Sequence, residues 1–294
     1  MINLKIPECK CNSRIKKFTE SIKQSICDMY LSGLSTVKIG NIFNCDHKTI
    51  SKVLDEYDIC RTGVGLRKYE LNEHYFDIID TPNKAYILGF FYADGSNCES
   101  KQTIAMSLQE DDKNILEAIR LEINSQKPLE YIDCSKKHDG GYHYKNQYRL
   151  LMFSKHMSNI LRDKGMPHNK SLTLQWPTFL SSDLYADFIR GYYDGDGSVY
   201  RSGTNYTVTI TSTNEFCVKL KDIVESTIGV HCGIYDAQNH NGITKVFAIS
   251  GKNQVKKFLD WIYEDAALLL ERKHNRYLQY FYNSIQDTSN TSTE

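Results

Sequence analysis

The chain has 294 residues, 40% of them hydrophobic and 24% charged, so it is long enough for two or three globular modules. Its 36 basic and 36 acidic residues cancel, and a neutral total gives no overall sign of a nucleic-acid partner. No apolar run approaches the length of a membrane span, the N-terminus does not resemble a signal peptide, and the nine cysteines form no CxxC pair. These features exclude membrane and secreted disulfide-rich classes and predict an intracellular protein.

Residues 15–60 are predicted to form a small all-α domain. Apolar residues recur with helical spacing from Phe18 to Leu31. Ser35 and Asp46 then stand where N-caps would begin two further short helices. The last of these helices would expose four polar side chains: His47, Lys48, Ser51 and Lys52.

This order of helix, short turn and polar-faced helix is the helix-turn-helix arrangement, whose last helix enters the major groove of DNA. The stretch IGNIFNCDHKTISKVL (39–54) resembles the helix-turn-helix of resolvases and small regulators, with Gly40 where two helices cross closely. A three-helix packing domain with a solvated polar face is the alternative.

Residues 61–80 are predicted to be a linker. Its first part, RTGVGLRKY, contains two glycines that favour flexibility, and Arg61 and Arg67 suit contacts with phosphates or a minor groove. A solvated basic linker explains the same residues. The first 70 residues carry twelve basic against eight acidic side chains, so the neutral total conceals a basic N-terminal part.

Two octapeptides indicate an internal duplication. GFFYADGS (89–96) and GYYDGDGS (191–198) share a glycine, two aromatic residues and Asp-Gly-Ser. Their aspartates are 102 positions apart, which is about the length of one small domain. The spacing predicts one repeat at 81–180 and a second at 181–283.

Each octapeptide would lie at the end of a helix with small residues four positions apart on one face: Gly89 and Ala93 in the first, Gly191 and Gly195 in the second. A face without side chains allows close approach of two helix backbones, so the two helices are predicted to pack about a pseudo-twofold axis.

That packing would bring Asp94 and Asp196 together at the C-terminal helix ends. The helix dipole and mutual repulsion both oppose negative charge there. Hard divalent cations such as Mg²⁺ resolve the conflict, and metals shared by carboxylates support phosphoryl displacement. The alternative is that Asp-Gly-Ser ends each helix with a simple turn.

The segments ILGFFYADG and IRGYYDGDG resemble the LAGLIDADG motif of homing endonucleases. The resemblance covers residues 84–282 and is to the two-motif, single-chain members. It implies an α+β fold of two pseudo-symmetric αββαββα repeats, here preceded by the helix-turn-helix domain. It also implies that Mg²⁺ is bound by the carboxylates of Asp94 and Asp196 and by the carbonyls of Ala93 and Gly195.

By the same resemblance, the basic residues beside the cut phosphates are Lys170 and Lys273, while Glu110 and Ser212 stand near water-ordering positions. The sixth motif position differs between the copies. The family also includes inteins, but this chain has no Cys or Ser at its start and ends in NTSTE, so we expect a free-standing enzyme.

Alternating patterns follow each motif. TIAMSLQ (103–109) and YHYKNQYRLLMF (142–153) are predicted strands, and in the second repeat Thr207, Thr209 and Thr211 alternate with apolar residues. On the strand 142–153 one face would carry side chains that suit base edges in a major groove: His143, Lys145, Gln147 and Arg149. The resemblance implies two such sheets over the duplex; a sheet with an ordinary solvated face is the alternative.

The sequence therefore predicts a monomeric, Mg²⁺-dependent, site-specific double-strand DNA endonuclease with a long target site. It would act in the cytoplasm or wherever its host genome lies. Residues 253–271 are predicted to be a helix near the end of the second repeat, and residues 284–294 a disordered tail. Two alternatives stay open: a non-cleaving regulator or RNA-splicing maturase on the same fold, and a metalloenzyme with no nucleic-acid substrate.

Overall fold

The computed structural model describes residues 18–59, 69–135, 138–139, 142–237 and 244–282, with the backbone alone for 138–139 and 142–143. Its contacts divide the chain into two units, 1–70 and 71–294. The finer boundaries predicted for linker, repeats and tail stay predictions. Arg61, Arg67, the side chain of His143 and the tail 284–294 lie outside the described residues.

The described part of the N-terminal unit is helical, as predicted. It contains α1 (Glu20–Leu31), α2 (Thr36–Ile42) and α3 (His47–Glu56). Ser35 caps α2 by accepting a hydrogen bond from the N–H of Lys38, and Asp46 caps α3 by accepting one from the N–H of Lys48. A Cβ at Gly40 would lie 2.7 Å from the carbonyl oxygen of Cys45, so the turn before α3 requires a glycine there. Ile26, Ile39, Ile50 and Leu54 are among the buried side chains that hold the three helices together.

The second unit begins with one helix and a four-stranded antiparallel sheet. Its elements are α4 (Pro82–Asp94), β1 (Gly95–Cys98), β2 (Thr103–Gln109), α5 (Lys113–Glu122), β3 (Glu130–Ile132), β4 (His138–Asp139), β5 (Tyr142–His143), β6 (Gln147–Phe153) and α6 (Lys155–Asp163). The sheet order is β1-β2-β6-β3, and β4 pairs with β5 separately.

The rest of the second unit repeats this plan. Its elements are α7 (Tyr185–Asp196), β7 (Gly197–Ser202), β8 (Asn205–Thr213), α8 (Asn214–Ile228), β9 (Gly233–Asp236), β10 (Thr244–Ser250), α9 (Lys252–Tyr263) and α10 (Glu271–Phe281). The sheet order β7-β8-β10-β9 matches that of the first half. The predicted α+β fold of two similar halves after a helical N-terminal region is confirmed. None of the helices described is long and apolar enough to cross a bilayer.

Two predicted elements were wrong in extent. The predicted strand 142–153 is interrupted, because Asn146 accepts hydrogen bonds from Cys134 N–H on its side chain and from Glu110 N–H on its carbonyl. Strand β6 therefore begins at Gln147, and Lys145 does not share a strand with Gln147 and Arg149. His143 lies on the separate strand β5.

The predicted helix 253–271 ends early, at Tyr263. Asp265 adopts a left-handed conformation, with φ +49°. The N–H of Leu270 donates to the buried carboxylate of Asp194 instead of continuing a helix. The chain then enters α10, so Lys273 lies in the first turn of a new helix.

Helices α4 and α7 pack at a distance that only glycine permits. A Cβ at Gly89 would lie 2.0 Å from the carbonyl oxygen of Phe188, and a Cβ at Gly191 would lie 2.0 Å from that of Tyr86. Nearer the C-terminal ends, a Cβ at Gly195 would lie 2.3 Å from the Cβ of Ala93. The predicted close approach along the small-residue faces is confirmed, and it is nearly symmetric.

This contact predicts that Gly89→Ala and Gly191→Ala each lower the free energy of unfolding by about 3 kcal/mol or more, because the added carbon overlaps backbone that cannot move aside. Gly203→Ala is the control. Its Cβ would meet nothing within 4 Å, although its φ is +61°, so that change costs about 1 kcal/mol of backbone strain. Urea unfolding at equilibrium measures all three. Equal losses at positions 89 and 203 would contradict the packing.

Candidate functional site

Asp94 and Asp196 lie side by side at the C-terminal ends of α4 and α7. A Cβ at Gly195 would lie 3.2 Å from Asp94 Oδ2, so the first carboxylate reaches across to the second helix. Both aspartates are exposed. Within the described residues, no N–H or O–H donates a hydrogen bond to either carboxylate. The close helix packing thus presents two unsatisfied carboxylates to solvent at one point.

The two carboxylates are accessible to solvent, yet protein surrounds much of each, and this partial burial raises both of their pKa values. Burial and the negative charge of Asp196 raise the pKa of Asp94 to about 6, against the opposing effect of Lys273 and Lys170. Burial likewise raises the pKa of Asp196, and the same two lysines oppose the rise. The structure therefore brings together all four predicted catalytic side chains.

The two lysines are buried and hold the helix ends. Lys170 Nζ donates to the carbonyl oxygens of Ala93 at 3.0 Å and Gly95 at 2.7 Å. Lys273 Nζ donates to those of Tyr193 at 2.7 Å, Gly195 at 2.9 Å and Gly197 at 2.6 Å. Carbonyls at a helix C-terminus lack intrahelical partners and carry partial negative charge, which a buried cation offsets.

Burial lowers the pKa of the Lys273 ammonium to about 8, while the acids Asp194, Asp94 and Asp196 act in the opposite direction. Its three carbonyl acceptors require three N–H donors, which the ammonium has and the neutral amine lacks. Burial also lowers the pKa of Lys170, and the two site aspartates again oppose it.

The donor set fits a hard divalent cation in part. Two carboxylates without protein hydrogen bonds are the ligands that Mg²⁺ prefers. The carbonyls of Ala93 and Gly195, the other predicted ligands, already accept hydrogen bonds from Lys170 and Lys273. A carbonyl oxygen has a second lone pair, so this contact does not by itself remove either one from a metal site.

A cavity of about 250 Å³ opens beside Asp196, lined by residues of both helices and of β8 and β10. Ser212 lines it and accepts a hydrogen bond from the Tyr192 hydroxyl at 2.9 Å. The buried hydroxyl of Thr244 also lines it and has no hydrogen-bond partner in the described structure. The cavity is polar enough to hold water next to the acid pair. Glu110, the other predicted water-ordering residue, does not line it.

Sequence reasoning missed the role of Asp194, the sixth position of the second motif. Its fully buried carboxylate accepts hydrogen bonds from the hydroxyls of Tyr86 at 2.9 Å and Tyr263 at 2.8 Å and from the Leu270 N–H at 2.8 Å. Burial raises its pKa to about 6 despite these bonds. It is sealed from solvent and links α7 to α4, α9 and the start of α10.

Sequence reasoning also missed Arg190, which is buried in the same region. Its guanidinium pairs with Asp187 at 2.8 Å and donates to the carbonyl oxygens of Ile262 at 2.8 Å and Leu268 at 3.0 Å. A buried arginine with a hydrogen bond from each of its three guanidinium nitrogens fixes the path of the chain after α9. An arginine among aromatic and apolar neighbours at the motif helix was the available signal.

The predicted DNA-contacting residues lie at several places. On α3, His47, Lys48 and Lys52 are exposed and Ser51 is half-buried. On β6, Gln147 and Arg149 are half-buried, and Arg149 Nε donates to Ser107 Oγ at 3.1 Å. Lys145 is exposed and pairs with Asp111 at 2.6 Å.

The second half of the second unit matches a known protein family in sequence. Residues 183–263 match the LAGLIDADG-like domain family. The match begins just before α7 and ends with the last residue of α9, so it includes Asp194 and Asp196 and covers a little over a quarter of the chain. This segment is therefore similar in sequence to the LAGLIDADG-like domain family. No curated protein sequence is similar enough to count as a relative.

The chain is also similar, at low identity, to several solved structures of LAGLIDADG proteins. The N-terminal LAGLIDADG domain of DUF199/WhiA is 17% identical, with 65% of this chain and 89% of that one covered and a TM-score of 0.42. Meganuclease I-SmaMI bound to uncleavable DNA is 12% identical, with 68% and 88% covered and a TM-score of 0.42. The homing endonuclease I-LtrWI bound to target DNA is 11% identical, with 74% and 92% covered and a TM-score of 0.42. At these levels no residue role or activity transfers to this chain.

The lysine contacts predict unequal losses of stability. A buried carbonyl left without a donor costs about 1–3 kcal/mol, so Lys273→Met should lower the free energy of unfolding by about 3 kcal/mol or more. Lys170→Met, which frees two carbonyls instead of three, should cost less. Lys145→Met, which breaks an exposed ion pair, is the control and should stay within about 1 kcal/mol of the parent. Urea unfolding checks the order, and a Lys273 effect as small as the control would refute the helix-end role.

Proposed function

We propose that this protein is a site-specific, divalent-metal-dependent endonuclease of double-stranded DNA. The observation that carries the proposal is the pair of exposed carboxylates, Asp94 and Asp196, which lie side by side without hydrogen-bond donors at the ends of two closely packed helices. A structural role does not account for two adjacent like charges at helix C-termini, where the dipole also disfavours them. Binding of Mg²⁺ does account for them.

Each residue of the site has a distinct task in this proposal. Asp94 and Asp196 hold Mg²⁺, which when bound stabilises the charge that develops during phosphodiester hydrolysis. Lys170 and Lys273 fix the helix ends and so set the separation of the two carboxylates. Their positive charge also favours the approach of a phosphate. The hydroxyl of Thr244 in the neighbouring cavity would orient a water molecule.

The proposed DNA-binding surface has two parts, considered separately. In the second unit, Gln147 and Arg149 of β6 would contact base edges, and one chain would suffice because it carries both halves of the site. In the N-terminal unit, the polar face of α3 with Lys48 and Lys52 would enter a major groove as a helix-turn-helix. A protein with both parts would recognise a long target site, and it would act as a monomer.

A non-cleaving DNA-binding protein is the second candidate, and one observation favours it. The four side chains at the site carry two negative and two positive charges, and both lysines act on both acids. The carbonyls of Ala93 and Gly195 are already bonded to those lysines. The charges of such a site can balance without a metal ion, and a DNA-binding regulator would not need one.

The acids separate the two candidates. Asp94→Asn and Asp196→Asn should each abolish double-strand cleavage while specific binding stays within about tenfold, or roughly 1.4 kcal/mol. The target comes from selection of a randomised DNA library, and gel shift and cleavage assays follow on the selected site. Asp163→Asn, an exposed aspartate at the end of α6, is the matched control and should cut normally. Cleavage at the parental rate by either site variant would sink the catalytic assignment; tight binding by the parent without cleavage in Mg²⁺ or Mn²⁺ would favour the regulator.

Metal binding should depend on pH in a defined direction. In the folded protein the pKa of Asp94 is raised from 3.8 to about 6, so the protonated carboxyl favours folding. This contribution to the stability of the metal-free protein is full below the ordinary pKa and is lost as the pH rises through about 6. Mg²⁺ binds the ionised pair, so stabilisation by Mg²⁺ should be larger at about pH 7.5 than at about pH 5, reaching about 2.7 kcal/mol at a hundredfold excess over Kd. Thermal unfolding with Mg²⁺ or EDTA measures it. An equal Mg²⁺ effect at both pH values, or one retained in the Asp94→Asn/Asp196→Asn double variant, would contradict the site.

A further inference from the structure

A second cluster of ligand-type side chains lies away from the acid pair. It joins the segment just before α4, residues 71–80, to the start of α6. Phe76 anchors this segment by packing against Phe91 of α4, with ring centroids 5.8 Å apart. Ser154, the N-cap of α6, donates to the Glu73 carboxylate at 2.7 Å. The Phe76 packing and the Ser154 hydrogen bond therefore hold both parts of the cluster in place within one unit.

Three side chains of this cluster converge on one point. His74 Nδ1 lies 2.7 Å from Asp77 Oδ2, and His156 Nε2 lies 2.7 Å from Asp77 Oδ1. The two imidazole rings are 4.4 Å apart between centroids and tilted by 49°. One ligand atom from each of the three residues lies within 4.8 Å of the others. It is the one such group of His, Cys, Asp or Glu among the residues that the structure describes.

We propose that His74, Asp77 and His156 form a binding site for a transition-metal ion of the Zn²⁺ class, separate from the acid pair. Two imidazole nitrogens and one carboxylate oxygen are a common set for Zn²⁺, with the fourth position left to water. Imidazole ligands favour Zn²⁺ and its neighbours in the first transition row, whereas the all-oxygen acid pair suits Mg²⁺. The two sites would thus select different ions.

The present contacts are close to those that such an ion needs. In the metal-free state each histidine places a ring nitrogen against Asp77. At 2.7 Å from a carboxylate oxygen, Nδ1 of His74 and Nε2 of His156 donate hydrogen bonds to Asp77 when no metal is bound. Coordination therefore requires each neutral ring to carry its proton on the other nitrogen, which frees these two nitrogens for the ion. The side chains are 68%, 34% and 38% exposed for His74, Asp77 and His156, so an ion reaches them directly from solvent. Binding weakens in acid because protons compete for both rings.

A bound ion would clip residues 71–80 to α6. The two histidines are 82 positions apart in the chain. The ion would therefore cross-link residues 71–80, which precede α4, to α6 at the end of the first half. An ion that binds only the folded state stabilises it in proportion to its occupancy. The expected consequence is a more stable first half, with no part in cleavage chemistry.

The test is Zn²⁺ and Co²⁺ binding to the full chain and to three variants. We expect the parent and His231→Ala to bind one more equivalent of Zn²⁺ tightly than His74→Ala or His156→Ala, whose affinity at this site should fall by at least about 100-fold. His231 is the matched control because it is an exposed histidine beside a carboxylate, Glu225, and belongs to no group of three ligand-type side chains among the residues that the structure describes. Zn²⁺ should also raise the unfolding temperature of the parent and of His231→Ala, but not of the other two.

A second measurement uses only the parent protein, so it remains valid if the variants fail to fold. In the parent protein, NMR signals of the His74 and His156 rings should shift on addition of one equivalent of Zn²⁺, while those of His231 should not. Equal Zn²⁺ stoichiometry and affinity in all four proteins, or unshifted His74 and His156 signals, would overturn the proposal and leave a hydrogen-bonded cluster only. Neither result depends on DNA cleavage, so this site and the proposed endonuclease can fail separately.

Discussion

The close contact of α4 and α7 is the constraint on which the rest of the second unit depends. Gly89 and Gly191 each face a backbone carbonyl at a distance that leaves no room for a Cβ. The helices are also close at their C-terminal ends, where a Cβ at Gly195 would lie 2.3 Å from the Cβ of Ala93. Because β1 and β7 begin directly after Asp94 and Asp196, the same contact fixes the first strand of both sheets. The acid pair and the placement of the two sheets are therefore one geometric result.

That constraint creates an electrostatic problem, which the chain resolves with its own cations. Two helix C-termini and two carboxylates concentrate negative charge at one point. Lys170 and Lys273 are bonded to the backbone carbonyls and not to the carboxylates. The carbonyls are thus satisfied from within, while the carboxylates stay open to solvent. This division of partners is what makes the pair suitable for an external cation.

Local patterns predicted the parts of the fold that local interactions decide. The N-caps Ser35 and Asp46 and strand β2 follow from residue type and alternation, and the helix pair follows from small residues four apart. The interruption before β6 could not be predicted in this way, because Asn146 bonds to residues 12 and 36 positions away. The end of α9 likewise depends on a distant partner, Asp194. Hydrogen bonds between residues far apart in the sequence set both of these boundaries, which the spacing of apolar residues does not reveal.

The two carboxylates were predictable from the sequence because Asp-Gly ends both similar octapeptides. The two lysines were predicted only from the resemblance to LAGLIDADG homing endonucleases. The carbonyl contacts of the lysines were not predictable, because a sequence does not show which atoms a long side chain reaches. The same limit hid the cluster of His74, Asp77 and His156, whose members come together only through tertiary packing.

The two halves share a backbone plan but differ in their buried polar links. In the second half, Asp194 bonds to Tyr86 of α4 and to the N–H of Leu270, three positions before Lys273. This bond fixes the start of α10 and with it the lysine that holds the end of α7 by three carbonyls. In the first half the matching residue is Tyr92, which donates to the carbonyl of Lys164, the C-cap of α6, and not to a residue of α4 or α7. The end of α7 is therefore held more firmly than that of α4, so the two carboxylates of one symmetric-looking site are supported unequally.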